Sequence, residues 1–258
     1  MALMSRAIFD GAGHGPDGTV WGGELLVGDL VGCERAGHLR AVALPGGDRA
    51  AREPWRMACA WLVAAGHPDC PPWLAGRVPP GAWETTVSMA DTGLSAPPTT
   101  SAGRLFDAVA ALCGLRIVAT YEGQAAMELE AVADPGEPGA YPLDVVRAGD
   151  TIELDARPLV AAVADDVAAG RPPATVSARF HNALGAATAA AVTDAAAAAG
   201  TSVAVLSGGV FQNRRLLEDV RRRLTDRGLH VLVPQALPPG DGGISYGQAA
   251  VAAARHRG

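Results

Sequence analysis

Lysine is missing altogether: all 21 basic side chains of the 258-residue chain are arginine. That absence excludes a P-loop, whose lysine reaches the nucleotide phosphates. It equally excludes catalysis through a Schiff-base lysine. Cysteine is scarce, and Cys33, Cys59, Cys70 and Cys113 stand too far apart for a C-x-x-C pair. A thiolate zinc site is therefore not suggested. An excess of basic charge is also lacking. The formal net charge is -6, which argues against a nucleic-acid-binding surface. No apolar run suits a membrane: the longest, residues 183–199, is alanine-rich and carries threonine and aspartate. The apolar start breaks at Ser5 and Arg6, so no secretory signal is expected. These absences together predict a cytoplasmic chain with reduced thiols and no membrane contact.

What is present supports a folded domain. Hydrophobic residues make up 49% and charged residues 19%, enough for a buried core. The length fits one large domain or two small ones. The start reads as β structure: strands are predicted at 6–9, 20–30 and 38–44, with a glycine loop after the first. The middle reads as helical, with helices at 48–65, 101–112 and 122–132, a proline-rich stretch at 68–80 and a loop at 134–142. The last part alternates. A strand at 151–154 and helices at 158–169 and 176–199 precede the sharpest pattern, which is a strand at 202–206, a Ser207-Gly208-Gly209 turn, a helix at 212–227 and a strand at 230–233. Such a unit predicts parallel strands. A final helix is expected at 245–255.

Three glycine-containing segments could carry chemistry. Asp10-Gly11-Ala12-Gly13-His14-Gly15 follows a strand. Glycines there let backbone N–H groups approach an anion, and the aspartate could hold a metal beside it. An ordinary glycine-rich hairpin explains the segment equally well. It is not a dinucleotide fingerprint, because a strand rather than a helix follows. Ser207-Gly208-Gly209-Val210-Phe211-Gln212-Asn213 joins a strand to a helix start, where backbone N–H groups suit a nucleotide or its phosphates. Asn213 could read a base or ribose edge; the alternative is a tight turn. Asp241-Gly242-Gly243 opens the last helix. Asp241 suits an N-cap, or a metal ligand if its segment meets Asp10. By pattern alone, Asp107 and Glu122 read as surface acids, Arg221–Arg223 as a solvated helix face, and His181 as a packed or capped residue. His38 and His67 have no recognisable partner.

Several segments taken together resemble the HypF family of hydrogenase-maturation carbamoyltransferases. They are Phe9-Asp10-Gly11-Ala12-Gly13-His14-Gly15-Pro16-Asp17-Gly18 through Trp21-Gly22-Gly23-Glu24, Arg52-Glu53-Pro54-Trp55-Arg56-Met57, and Gly103-Arg104-Leu105-Phe106-Asp107. Tyr121-Glu122-Gly123-Gln124-Ala125-Ala126, Arg179-Phe180-His181-Asn182, Leu206 to Arg214 and Pro238 to Gly243 continue the match in order. The resemblance implies an α/β, actin-like ATPase (ribonuclease H-like) lobe. Its mixed sheet would carry flanking helices and a helical insertion, with the first lobe largely absent. The expected division is 5–47, 48–149 and 150–258. In the family, a carbamoyl-adenylate derived from ATP lies between the lobes. Its carbamoyl group passes to the C-terminal cysteine thiol of HypE, on the way to the cyanide ligands of nickel–iron hydrogenase.

Carried over by position, the resemblance makes Asp10 and Asp241 ligands of one divalent metal, iron or zinc. It makes Gly11, Ala12, Gly13 and His14 the phosphate loop, Asp107 and Gly123 ribose-side contacts, and Gly208, Gly209 and Asn213 the adenosine-side turn. A metal polarising the carbamoyl oxygen would act as a Lewis acid. The chain departs from the family in several places. No histidine occurs in the eight residues before Phe9, where the family carries a metal-binding pair. The acylphosphatase-like, zinc-finger and adenylate-forming domains of the full family are not expected within these 258 residues. His14 replaces the usual tyrosine and Gly240 the usual asparagine. The expected partners are a HypE-like acceptor and a separate chain supplying the first lobe. The competing readings are a non-catalytic remnant or binding module, and a carbamoyltransferase for a small hydroxylated acceptor. The HypF-like Arg-Phe-His-Asn and Tyr-Glu-Gly-Gln segments disfavour the last.

Overall fold

The computed structural model describes residues 3–256. Strands β1 (Met4–His14), β2 (Val20–Gly28) and β3 (Cys33–Leu39) form an antiparallel meander. Strand β4 (Val42–Ala43) leads into helices α1 (Asp48–Arg52), α2 (Pro54–Ala64), α3 (Pro72–Ala75) and α4 (Ala82–Thr92). Strand β5 (Pro98–Thr99) returns the chain to β2 and β4. Helices α5 (Ala102–Leu112) and α6 (Gln124–Ala131) follow. The hairpin β6 (Asp144–Ala148) and β7 (Thr151–Asp155) extends the sheet beyond β3. Then come α7 (Arg157–Ala168), α8 (Pro173–Ala198), β8 (Val203–Ser207), α9 (Arg214–Asp226), β9 (His230–Leu232) and α10 (Ile244–His256). The main strand order is β6-β7-β3-β2-β1-β8-β9, with β8 parallel to β1 and β9 parallel to β8. This is the expected mixed sheet. Among the described residues no helix is long and apolar enough to cross a membrane.

Several expected boundaries shift for physical reasons. The predicted helix 48–65 breaks at Glu53, because Pro54 opens α2 and restricts the residue before it. The predicted strand 38–44 lies earlier, at Cys33–Leu39, with Val42–Ala43 as a separate stub. Its first half is exposed or half-buried Cys33-Glu34-Arg35, which hides the apolar alternation. Helix α4 was not anticipated. It buries only Trp83 and Thr86 and is bounded by the left-handed glycines Gly81 and Gly93. Strand β6 was not anticipated either, since every residue of this edge strand is exposed.

One face of the sheet carries the core. Ser5, Ala7 and Phe9 alternate inward along β1, and the Ser5 hydroxyl donates to the Val192 carbonyl of α8. Alanines pave the buried side of α8, so this 26-residue helix lies close against the strands. Phe106 of α5 meets Phe180 of α8 edge to face, with centroids 4.8 Å apart.

His181, next along α8, is the buried polar hub. Its Nε2 lies 2.8 Å from Asn213 Nδ2, and its Nδ1 lies 2.7 Å from the Ser177 carbonyl. Asn213 Oδ1 accepts the Leu216 backbone N–H at 2.9 Å and so caps α9. The Asn213 amide must then donate to Nε2, which leaves the His181 proton on Nδ1. Burial holds the neutral ring, and the His181 pKa falls to about 4.

Two predictions follow from this frame. An unfolded histidine takes its proton near pH 6.5, whereas the folded ring resists protonation down to about pH 4. The His181 contribution to stability should therefore be complete above pH 6.5 and fall by up to ~3 kcal/mol on acidification toward pH 4, while the raised carboxyl of Asp107 acts in the opposite sense between about pH 6 and 4. Urea titrations across this range should show the slope as a difference between the unaltered chain and His181→Gln, and a difference that does not change with pH would refute it. The second concerns Gly208, which combines φ 99° with ψ 158° and has its missing side-chain position inside the Phe9 carbonyl. Gly208→Ala should lose about 1–3 kcal/mol more than Gly200→Ala, because Gly200 also has positive φ but faces open space. Equal losses in denaturant midpoints would count against the close approach.

Candidate functional site

The parallel pairing of β1 with β8 ends with Ile8 opposite Ser207, the last residue of β8. Ligand crevices of open α/β sheets lie at such carboxyl ends. Beyond Phe9 the pairing with β2 jumps from Phe9–Gly23 to Gly13–Trp21. Asp10, Gly11 and Ala12 therefore occupy a bulge, which turns them out of the regular ladder. Beyond Ser207 the chain turns through Gly208 into a single 3-10 turn, Gly209–Gln212. A side chain at Gly209 would stand 2.9 Å from Asp10 Oδ1, so glycine is what lets the two segments meet. Gly208 N–H donates to the Pro239 carbonyl at 2.9 Å, and the Ser207 hydroxyl donates to the same oxygen at 3.2 Å. These bonds bring Gly240 and Asp241 alongside.

Helix α5 closes a third side. Ser101 caps it, accepting the Arg104 N–H at 3.2 Å, and its hydroxyl donates to the Asp10 carbonyl at 3.1 Å. Gly103 lets the helix press on the bulge, since a side chain there would come within 3.0 Å of Gly11 Cα. Gly23 serves the same docking from β2, where a side chain would enter the Thr100 carbonyl. Buried Glu24 accepts the Arg35 Nε–H at 2.5 Å and the Thr100 hydroxyl. The Trp-Gly-Gly-Glu segment is thus scaffolding for the α5 N-terminus. The fourth side is the start of α6, where Gly123 takes φ 73° as its N-cap.

The result is a cleft of about 550 Å³ lined by Asp10, Gly11, Asp107, Gly123, Gly209, Asn213 and Asp241. Seven of the eleven residues singled out from the sequence therefore meet in one place. Four do not line it. Ala12, Gly13 and His14 are exposed on the outer part of the β1–β2 hairpin, and Gly208 is buried against Phe9. Asn213 reaches the wall, and its amide is oriented by one hydrogen bond to His181 and one to the α9 cap. Among the described residues, no three histidine, cysteine, aspartate or glutamate side chains gather as a metal site. Asp10 and Asp241 line the same cleft, yet on their own they are an incomplete ligand set.

Sequence reasoning passed over other lining residues. Arg104, Glu122, Met127, Glu130 and Gln212 also face the cleft. Glu122 and Asp107 had read as surface acids. Instead Asp107 is buried, and burial pushes its carboxyl up to about 6 against the opposing charge of Arg104. The helical spacing of Gly103, Arg104 and Asp107 was the available signal, because it puts all three on one face. Two other HypF-like segments are structural. Arg179 and Asn182 hold the 134–142 loop, with Asn182 Nδ2 donating to the Glu137 and Gly139 carbonyls at 3.0 and 2.8 Å. Arg56 is buried, paired to Glu53 and stacked over Trp55 at 4.7 Å.

Comparison with known proteins places the chain in a family. The family model described as "Carbamoyltransferase, Kae1-like Domain, second subdomain" matches residues 6–248. Carbamoyltransferase HypF of Rhizobium leguminosarum bv. viciae is 45% identical over 248 residues, which are 94% of this chain and 31% of that protein. A carbamoyltransferase HypF homolog of Cupriavidus necator is 42% identical over 95% of this chain and 64% of its own length. The crystal structure of full-length HypF in its phosphate- and nucleotide-bound form superposes with a TM-score of 0.91 at 33% identity, covering all of this chain and 34% of that one. T. kodakarensis HypF gives 0.85 at 27% identity. The chain spans 33%, 31% and 32% of the first three curated relatives it matches. The expected actin-like, ribonuclease H-like fold class holds. The chain belongs to the HypF-type carbamoyltransferase family, matching the second subdomain of its Kae1-like domain.

Proposed function

We propose that the cleft binds the adenosine and phosphate parts of a carbamoyl-adenylate, and that this chain forms one wall of a carbamoyl-transfer site. The observation that carries the reading is the convergence of Asp10–Gly11, Asp107, Gly123 and Gly209 from separate segments on one cleft. Each offers suitable chemistry. Gly11 and Gly209 expose backbone where a side chain would block a ligand. Backbone N–H groups at a helix entrance suit phosphate oxygens. A carboxylate such as Asp107 accepts hydrogen bonds from ribose hydroxyls.

The acceptor in this reading is a C-terminal cysteine thiol of a HypE-like protein, in the synthesis of hydrogenase cyanide ligands. The thiolate sulfur attacks the carbamoyl carbon, the carbon–oxygen bond to the phosphate breaks, and AMP leaves. The first lobe of the family's architecture completes the cleft. The family's metal, iron or zinc, would need ligands beyond Asp10 and Asp241, so no step is assigned to it here. The second reading is a binding module that holds the acceptor without chemistry.

Calorimetry with adenosine and AMP on the folded chain tests the reading. Both should bind, and Asp107→Asn should weaken adenosine by about tenfold. A folded chain that binds neither ligand overturns it. Capture of the cysteine-bearing acceptor peptide without nucleotide binding would instead establish the binding module. With a first-lobe chain and carbamoyl-adenylate added, mass spectrometry should find one carbamoyl group on the acceptor cysteine.

A further inference from the structure

The charges around the cleft are unequal. Asp10, Asp107, Glu122, Glu130 and Asp241 line it, and Arg104 is the one basic side chain among its lining residues. An anionic ligand entering this space has a single place to find a countercharge. Arg104 is only 8% exposed, so its charge is kept from bulk water.

Its protein contacts leave that charge underused. Arg104 Nε lies 2.7 Å from Asp107 Oδ2, but the two are out of line, and neither atom completes a hydrogen bond. A buried guanidinium with unmet donors is costly unless something else satisfies them. Arg104 also sits in the first turn of α5, an 11-residue helix capped by Ser101. The positive end of the helix dipole therefore points the same way as the side-chain charge. Gly103 holds this turn against Gly11, the residue offered for phosphate in the reading above.

We propose that Arg104 is the phosphoryl-binding residue of the cleft, released from Asp107 when a phosphate enters. The guanidinium fork takes two phosphoryl oxygens, and Asp107, one helical turn on, is freed to accept ribose hydroxyls. The proposal rests on the nucleotide reading for the identity of the ligand, but not for the anion site itself. Phosphoryl oxygens could come from a nucleotide or from a free phosphate, so the probes separate the two.

Pyrophosphate, AMP and adenosine are titrated by calorimetry into the full chain, Arg104→Gln, Arg104→Lys and the double variant Arg104→Gln/Asp107→Asn. The double variant removes both charges and guards against loss of folding from an orphaned carboxylate; melting curves check every protein. Arg104→Gln should weaken pyrophosphate and AMP by about tenfold or more and change adenosine by less than about twofold. Arg104→Lys should restore part of the loss, since lysine keeps the charge without the fork. In the unaltered chain, the Arg104 Nε–H resonance should shift on adding pyrophosphate. Pyrophosphate binding that is absent, or unchanged in Arg104→Gln, overturns the proposal. So does an unmoved resonance at saturation. Adenosine binding without pyrophosphate binding would leave the nucleotide reading standing and remove Arg104 from it. Arg104-dependent pyrophosphate binding without adenosine binding would do the reverse.

Discussion

The rest of the structure depends on how β1 and β8 end. They run parallel from Ser5–Ala204 to Ile8–Ser207, and then a residue without a side chain slides across the Phe9 carbonyl. No larger residue fits there, and no L-residue adopts that backbone conformation readily. From this crossing the geometry propagates outward. Asp10 falls beside Gly209, the Pro239 carbonyl is drawn onto Gly208, and α9 begins where Asn213 can reach His181. Phe9 and Phe211 stack at 5.4 Å beneath the crossing, so the turn rests on core rather than on solvent.

Polar groups in the interior serve this placement. His181, Asn213, Glu24 and Ser101 are all buried; Glu24 and Ser101 tie the α5 start to the sheet, and His181 and Asn213 tie the α9 start to α8. Bonds of this kind contribute modestly when made and cost more when one partner is lost. They specify position more than they add stability. The cleft acids differ in kind: Asp107 has an ill-aligned partner and a raised pKa, the mark of a group held for something other than stability.

Local pattern made the glycine turns, the β–α–β unit and Asp10, Gly11, Gly209, Asn213 and Asp241 legible, and the family resemblance added Asp107 and Gly123. Glycine after a strand and acid before a helix are short-range signals. The rest depended on partners far along the chain. Nothing local shows that Asn213 is oriented by His181, 32 residues earlier in the chain. Asp107 read as a surface acid because its own helix gives no sign of the burial that the fold imposes. Arg104 carried no local mark; it became visible only once the other lining residues proved acidic. Strand β6 and helix α4 were missed for the opposite reason: they bury so little that their sequences carry almost no periodicity.

The β1–β8 pairing also sets a schedule for biosynthesis. The meander of β1, β2 and β3 is complete within the first 39 residues, but the partner for β1's other edge ends at Ser207. At about 5–20 residues per second, a ribosome takes on the order of 10–40 s to make the intervening segment. During that interval β1 offers an open ladder to any neighbouring strand. The alanine-rich α8 is synthesised just before β8 and covers the inward face first. The chain is therefore most prone to aggregate before β8 emerges, and helpers that shield nascent strand edges would act in that window.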